Sequence, residues 1–129
     1  MHSDYYELDN GKQIVEYIYK YNLGFSYGNA AKYVCRAGRK EGNSAEKDSN
    51  KAIVYIMSSD EEFPIYKRLA MRAFNKLSFN DKTQFAEHHL ADILKAIITF
   101  DEPAKIIKMI LRYMRFRNIN IDDKFSNFV

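Results

Sequence analysis

Residues 28–40, GNAAKYVCRAGRK, carry four basic side chains and no acidic one. On an α-helix, positions i, i+3, i+7 and i+10 share one face, and here those positions hold Asn29, Lys32, Arg36 and Arg39. A row of cations bordered by an aromatic ring, that of Tyr33, suits a ligand that bears phosphate groups. A solvated helix surface explains the same spacing, so both interpretations stay open.

The opposite side of this predicted helix is apolar and should pack against a core. It is formed by Ala30, Ala31, Val34 and Cys35. Gly38 is placed to end the helix, because a left-handed C′ residue favours glycine. Arg39 and Lys40 then follow at the negative end of the helix dipole, which suits cations.

The start of the same helix has two interpretations. Either Ser26 or Asn29 could cap it, since both side chains can accept a backbone hydrogen bond. If Ser26 caps the helix, Gly28 lies in the first turn, where free N–H groups would let a phosphate approach closely. If Asn29 caps it, that side chain closes the helix end and is less available to a ligand.

A further helix is predicted from Ala45 to Ser58, with its inner face formed by Ala52, Ile53 and Ile56. Its polar face holds Asp48, Lys51 and Tyr55 at i, i+3 and i+7. The short loop before it makes the two helices antiparallel neighbours. Asp48 could then pair with Arg36 or Lys32, or it could orient a bound ligand.

The cation spacing of the first stretch recurs near the carboxyl end. The predicted helix over Pro103 to Arg117 presents the positively charged side chains of Lys105, Lys108, Arg112 and Arg115. Its other face is apolar and comprises Ile106, Ile107, Ile110, Leu111 and Met114. A basic amphipathic helix of this kind indicates either a solvated face or a nucleic-acid contact, and an anionic membrane surface is the less favoured alternative.

Length and composition limit the class of protein. The 129 residues predict one domain, and 47% hydrophobic with 29% charged residues is ordinary for a globular protein. A net charge of +3 is too small to prove a polyanionic partner. The single cysteine, Cys35, cannot form an internal disulfide, which fits a buried thiol in an intracellular protein. Neither a signal peptide nor an apolar run of about 18 residues is present, so we expect no export and no membrane span.

Two prolines and five glycines in the whole chain favour helices over a turn-rich β fold. We predict an all-α bundle of about six helices. Apart from the helix that ends at Gly38, the periodicity places them at about 12–21, 45–58, 64–77, 81–100 and 103–117. The first should bury Ile14, Val15, Ile18 and Tyr21. The apolar tail, with Ile119, Ile121, Phe125 and Phe128, should dock on the body or on a second subunit.

A metal site is not expected. His88 and Asp92 share a helix face at i, i+4, which is a metal-compatible spacing. Two ligands do not make a site, and the sequence shows no third ligand nearby.

The first half of the chain resembles a phage-encoded family of formally unknown function. The shared features are a His-plus-Tyr arm, a GN-x-x-KY-x-x-RAGRK signature and a D-x-x-KA-x-x-Y helix. Over residues 2 to 56 the matching positions are His2, Tyr5, Gly28, Asn29, Lys32, Tyr33, Arg36, Ala37, Gly38, Arg39, Lys40, Asp48, Lys51, Ala52 and Tyr55. The length is similar to that of the lactococcal SaV proteins, and another branch includes a nucleotide kinase without a Walker loop.

The resemblance implies a phosphate-handling surface, the host cytoplasm as location and a host abortive-infection protein as partner. Three functions follow: binding of nucleic acid or nucleotides, a deoxynucleoside monophosphate kinase, or a module that binds a host protein. Only the kinase would need ATP and Mg²⁺, and its candidate bases are Asp48 and His2. We also expect a homodimer or higher oligomer. The predicted phosphate-binding residues are Gly28, Asn29, Lys32, Tyr33, Arg36, Arg39, Lys40, Lys51, Tyr55, Lys105, Lys108, Arg112 and Arg115.

Overall fold

The computed structural model of the protein describes residues 6–8, 11–39, 42, 44–59 and 90–128. Within these ranges the helices are α1 (Ile14–Lys20), α2 (Gly24–Arg36), α3 (Ala45–Met57), α4 (Ala91–Ile98), α5 (Pro103–Phe116) and a 3₁₀ helix over Asp123–Phe128. In the same ranges, β pairing is limited to an isolated antiparallel bridge between Glu7 and Gln13. The prediction of a small all-α protein is confirmed.

The bounds of α1, α3 and α5 agree closely with the predicted helices. Their capping explains why. The Glu16 carboxylate accepts a hydrogen bond from the Gln13 backbone N–H at 2.7 Å, and Ser44 Oγ accepts one from the Lys47 N–H at 3.1 Å. Pro103 occupies the first position of α5, where its missing N–H would be unpaired in any case.

Two of the predicted helices fall wholly or partly outside the described residues. The helix predicted over 64–77 lies outside them. The helix predicted over 81–100 is described only from Leu90, and its predicted start lies outside the described residues. From Leu90 onwards α4 spans only Ala91–Ile98, so the predicted end at Phe100 is wrong. Phe100, which follows, has a left-handed φ of 57° that a continuing helix would not allow.

The start of α2 was predicted wrongly. The helix begins at Gly24 with Leu23 as its N-cap, so neither Ser26 nor Asn29 caps it. Asn29 Nδ2 instead donates a hydrogen bond to the Phe25 carbonyl at 2.7 Å. The other end is as predicted, because α2 stops at Arg36 and Gly38 follows with a φ of 73°.

Gly28 therefore lies inside α2 and has a packing role. It is buried against α1, and a Cβ built on it would come within 3.0 Å of Ile18 Cγ2. Without a side chain at this position, the two helices can approach closely. The first-turn phosphate site predicted at Gly28 is not present, since its N–H belongs to the helix interior.

The described core is built from the apolar faces of α1 to α5. The inner residues predicted for α2, α3 and α5 are all buried. On α1 the prediction was wrong at Val15, which is 38% exposed, because Tyr17 takes the inward position. The largest fully buried side chains include Tyr17, Tyr21, Tyr27, Phe100 and Phe125.

The tail returns to the body of the molecule. Phe125 is fully buried, and Ile119 and Ile121 are half-buried against the core. The 3₁₀ helix packs on α5, so it brings Lys124 towards the paired helices α2 and α3. No helix in the described ranges combines the length and the hydropathy that a bilayer span requires.

Candidate functional site

Arg36 lies inside the protein, contrary to its predicted place on an open cationic face. Its side chain is 6% exposed, and that of Asp48 is fully buried. Arg36 Nε and Nη2 each lie 3.0 Å from Asp48 Oδ1, and Nη1 donates to the Tyr6 hydroxyl at 3.0 Å. The pairing of Arg36 with Asp48, one of the two roles considered for that carboxylate, is confirmed.

The electrostatics of this cluster are those of an internal ion pair. Burial disfavours the charged guanidinium, but the hydrogen bond to Tyr6 and the carboxylate of Asp48 outweigh it and raise the pKa of Arg36. Asp48 joins the first turn of α3 to the last turn of α2. The cluster therefore fixes the α2–α3 pair, and Asp48 does not line an open site in the described part of the chain.

A groove of about 860 Å³ opens beside this cluster, between α2 and α3. Most of its walls come from these two helices, and Lys124 of the 3₁₀ helix contributes one edge. We call this feature the α2–α3 groove. Its lining residues are Phe25, Ser26, Tyr33, Lys47, Asn50, Lys51, Val54, Tyr55, Ser58 and Lys124.

One wall of the α2–α3 groove is aromatic. The rings of Tyr33 and Tyr55 stack with centroids 5.7 Å apart and planes 12° apart. Phe25 meets Tyr55 edge-on, at 5.7 Å and 74°, and is itself 68% exposed. Such a wall offers flat apolar surface to a planar ligand.

The groove is also positively charged. Lys51 Nζ lies 5.1 Å from the centre of the Tyr33 ring, within cation–π range. Lys47 is exposed on the preceding turn of α3, and Lys124 faces the groove while its Nζ lies 4.0 Å from an Asp122 oxygen. No acidic residue is among the described residues that line the groove. Its described lining therefore combines stacking surface with a net positive charge.

The wall that α3 contributes to the groove contains a buried hydrogen-bond acceptor. Asn50 Oδ1 is buried and accepts no hydrogen bond from the described residues. Asp48 Oδ2, on the other side of the same helix turn, is a second buried oxygen to which no described residue donates. Of these two residues only Asn50 lines the groove.

The remaining predicted residues of the signature are dispersed. Lys32 Nζ lies 5.7 Å from the Tyr6 ring centre, and in the described residues no carboxylate pairs with it. Arg39 donates to the Cys35 carbonyl at 3.1 Å and lines a separate 280 Å³ depression with Arg117. His2 and Lys40 lie outside the described residues.

The four cations of α5 form a surface apart from the groove. All four are exposed, as predicted, and none lines the groove. Lys105 pairs with Asp101 at 2.8 Å, and this ion pair raises its pKa. In the described ranges no carboxylate pairs with Lys108, Arg112 or Arg115. We call these three residues the α5 cationic face.

Several groove residues were missed by sequence reasoning. Lys47 and Asn50 share a helix face with Lys51 and Val54, at i, i+3, i+4 and i+7, so the helical period could have found them. Phe25 was missed because the start of α2 was placed too late. No local signal connects Lys124 to the groove, since its position depends on how the tail packs.

Three-ligand clusters of His, Cys, Asp or Glu suited to a metal ion do not occur within the described ranges. Residues 2–57 match a family described as "Protein of unknown function (DUF3310)". The matched range contains α1, α2 and α3, and hence both helices that form the groove. No curated protein and no solved structure matches the chain significantly.

Proposed function

We propose that this protein binds nucleotides in the α2–α3 groove, either free or as units of single-stranded nucleic acid. The observation that carries the proposal is the stacked pair Tyr33–Tyr55 with Lys51 beside it, in a groove whose described lining holds no acid. Aromatic rings bind bases through their π faces, and lysines bind the phosphates that follow.

The dimensions of the site fit this ligand class. A volume of about 860 Å³ lies within the range of small-molecule and cofactor sites. The exposed ring of Phe25 stands at the edge of the aromatic wall, where a base could stack. Lys47, Lys51 and Lys124 would neutralise phosphate charge around it.

The α5 cationic face gives a second, independent reason to consider a nucleic acid. Lys108, Arg112 and Arg115 are exposed at helical spacing and make no ion pair in the described residues. Such a face contacts backbone phosphates without reading sequence. A strand longer than one nucleotide would gain affinity there, whereas a free nucleotide would not.

Binding can be measured by fluorescence anisotropy with a labelled single-stranded oligonucleotide and by calorimetry with nucleoside monophosphates. We expect binding that weakens steeply as salt rises. Lys51→Ala should lower the affinity for both ligands about three- to tenfold, because one phosphate contact and one cation over Tyr33 are lost. Lys95→Ala, an exposed lysine of α4 outside the groove, is the matched control.

The proposal is wrong if neither ligand binds at low salt, or if Lys51→Ala and Lys95→Ala behave alike. The phage origin, the host abortive-infection partner, the cytoplasmic location and the homo-oligomer stay predictions. So does the kinase alternative, whose candidate base Asp48 is buried against Arg36. The host-protein module also stays a prediction.

A further inference from the structure

Phe116, the last residue of α5, is the most exposed large apolar residue in the described part of the chain. It is 84% exposed, although the inner face of the same helix is buried in the core. It follows Arg115 directly and lies one helical turn beyond Arg112, so its ring is next to the arginines of the α5 cationic face. The end of α5 therefore presents an aromatic ring and positive charge to solvent together.

A depression of about 310 Å³ opens beside this ring, between α4 and α5. Its described lining includes Leu90 and Ile93, which are buried, and Tyr113, which is half-buried. Phe116 lines it as well, so apolar surface continues from the inside of the depression to the exposed ring. None of these residues lines the α2–α3 groove, and the two sites are therefore separate.

The charged residues beside the depression favour a base inside it and phosphates outside it. Asp92 is exposed and lines the depression. Its carboxylate repels a phosphate, but it can accept hydrogen bonds from the N–H groups at the edge of a base. Arg112 also lines the depression, while Lys108 and Arg115 lie one turn away from it along α5. In the described ranges no carboxylate pairs with these three cations.

We propose that Phe116 and the depression beside it form a base-stacking site for a single-stranded nucleic acid whose phosphates contact the α5 cationic face. Single-strand binding proteins combine aromatic rings with a cationic track in this way. Lys108 and Phe116 lie about 12 Å apart along the helix axis, so a strand and not one nucleotide would span the site. A duplex keeps its bases paired and stacked, so it would contact the cations but not the ring. This site is additional to the α2–α3 groove and does not depend on nucleotide binding there.

An anionic membrane would be attracted by the same cations, but the exposed apolar surface is too small for it. A helix that lies on a bilayer buries a whole apolar face in the lipid. The apolar face of α5 is already buried in the core, and it comprises Ile106, Ile107, Ile110, Leu111 and Met114. Phe116 is then the exposed large apolar residue that α5 retains, and one ring suits stacking on a base better than insertion.

Tryptophan fluorescence can report on the ring directly, because the chain contains no tryptophan. Phe116→Trp would place a single indole at the site. A single-stranded oligothymidylate should quench its emission through stacking, while anisotropy of the same labelled oligonucleotide measures binding. Inorganic polyphosphate, which has the charge but no bases, and a duplex of the same length should bind without comparable quenching.

Two outcomes of this titration overturn the proposal. One is unchanged emission at an oligonucleotide concentration that anisotropy shows to be saturating, or no binding of the oligonucleotide at low salt. The other is a blue shift with phosphatidylserine vesicles without quenching by the oligonucleotide, which would assign the surface to a membrane.

Removal of the ring separates stacking from charge. Phe116→Ala should lower the affinity for the oligonucleotide about fivefold or more, because one stacked base is lost. The slope of affinity against salt should not change, since no cation is removed. Tyr19→Ala is the matched control, because Tyr19 is 78% exposed on α1. Equal affinities of the Phe116→Ala and Tyr19→Ala variants contradict the role of Phe116.

The same variants distinguish this site from the α2–α3 groove. Phe116 lies outside the groove, so Phe116→Ala should leave the affinity for nucleoside monophosphates unchanged, whereas Lys51→Ala should lower it. Quenching at Phe116→Trp together with no effect of Lys51→Ala would refute the groove and support the α5 site. Binding of monophosphates without quenching by the oligonucleotide would do the reverse.

Discussion

Two helices of this protein have polar residues at the same spacing, but the cations of these helices differ in burial. On α2, positions i, i+3, i+7 and i+10 hold Asn29, Lys32, Arg36 and, just past the helix end, Arg39. On α5 they hold Lys105, Lys108, Arg112 and Arg115. Arg36 is buried and paired with Asp48, whereas all four cations of α5 are exposed. The spacing predicts which residues share a face but not whether that face meets water.

The difference follows from the side chains next to the cations. The inner face of α2 is made of small residues such as Gly28, Ala30 and Ala31, so α1, α3 and α4 can approach closely. Neighbours at that distance also cover the flank of the helix, where Arg36 lies. The inner face of α5 is a broad row of Ile, Leu and Met, and its described neighbours pack against that face.

The largest expected effect is on stability, and it concerns Arg36, the buried cation of α2. Arg36→Ala should lower the free energy of unfolding by about 3–5 kcal/mol, because it leaves Asp48 buried without its counter-charge. Urea unfolding followed by circular dichroism measures the change. Arg112→Ala, the residue at the corresponding position of α5, should change it by less than about 0.5 kcal/mol.

A double variant separates charge from packing. Arg36→Met with Asp48→Leu should be more stable than either single variant, since apolar replacement of a buried pair costs less than breaking it. Equal losses in Arg36→Ala and Arg112→Ala would remove the distinction between the two helices.

A smaller effect is expected at a second polar group that α2 turns inward. The Tyr27 hydroxyl donates to the Asp101 carbonyl at 2.7 Å, and its ring stacks on Phe100 at 3.9 Å. Burial raises the pKa of Tyr27, so the hydroxyl keeps its proton and its donor role at neutral pH. Tyr27→Phe should cost about 1–2 kcal/mol in the same unfolding measurement, because a hydrogen bond is lost in the core.

The matched control for this variant is Tyr19→Phe, since Tyr19 is 78% exposed on α1. It should leave the free energy of unfolding unchanged within error. A Tyr27→Phe variant as stable as the wild type would show that α2 turns this hydroxyl inward without energetic consequence.

The smallest effect on stability is expected at the α5 cationic face. Changing Lys108, Arg112 and Arg115 together to Gln should shift the melting temperature little, because none is buried or paired in the described residues. The same variant should flatten the salt dependence of oligonucleotide binding by about 0.7 per lost phosphate contact in a log–log plot. An unchanged slope would show that α5 is only a solvated surface.

The sequence predicted most of the described helices because local signals agreed with the packing. Ser44, Pro103 and Gly38 mark helix ends in ways that depend on nearby backbone alone. The start of α2 was missed because Ser26 and Asn29 are good caps that tertiary packing left unused. At Asn29, the side chain bonds to the Phe25 carbonyl instead.

The candidate site was predicted in part. Tyr33, Lys51 and Tyr55 lie together in the groove, as the shared surface of the signature implied. Arg36 was assigned to the wrong environment, since one helix does not reveal how much its neighbours cover. Lys124 could not have been found, because more than sixty residues separate it from Tyr55 and only the folded tail joins them.

The contact between Arg36 and Tyr33 affects the entropy cost of binding a ligand in the groove. The guanidinium carbon lies 4.5 Å from the centre of the Tyr33 ring, so a core ion pair holds one wall of the groove in place. The conformational entropy of that ring is lost when the chain folds, not when a ligand arrives. Substitutions that disrupt the buried ion pair should then lower the affinity of the groove for a ligand, even though no side chain that the ligand touches is changed.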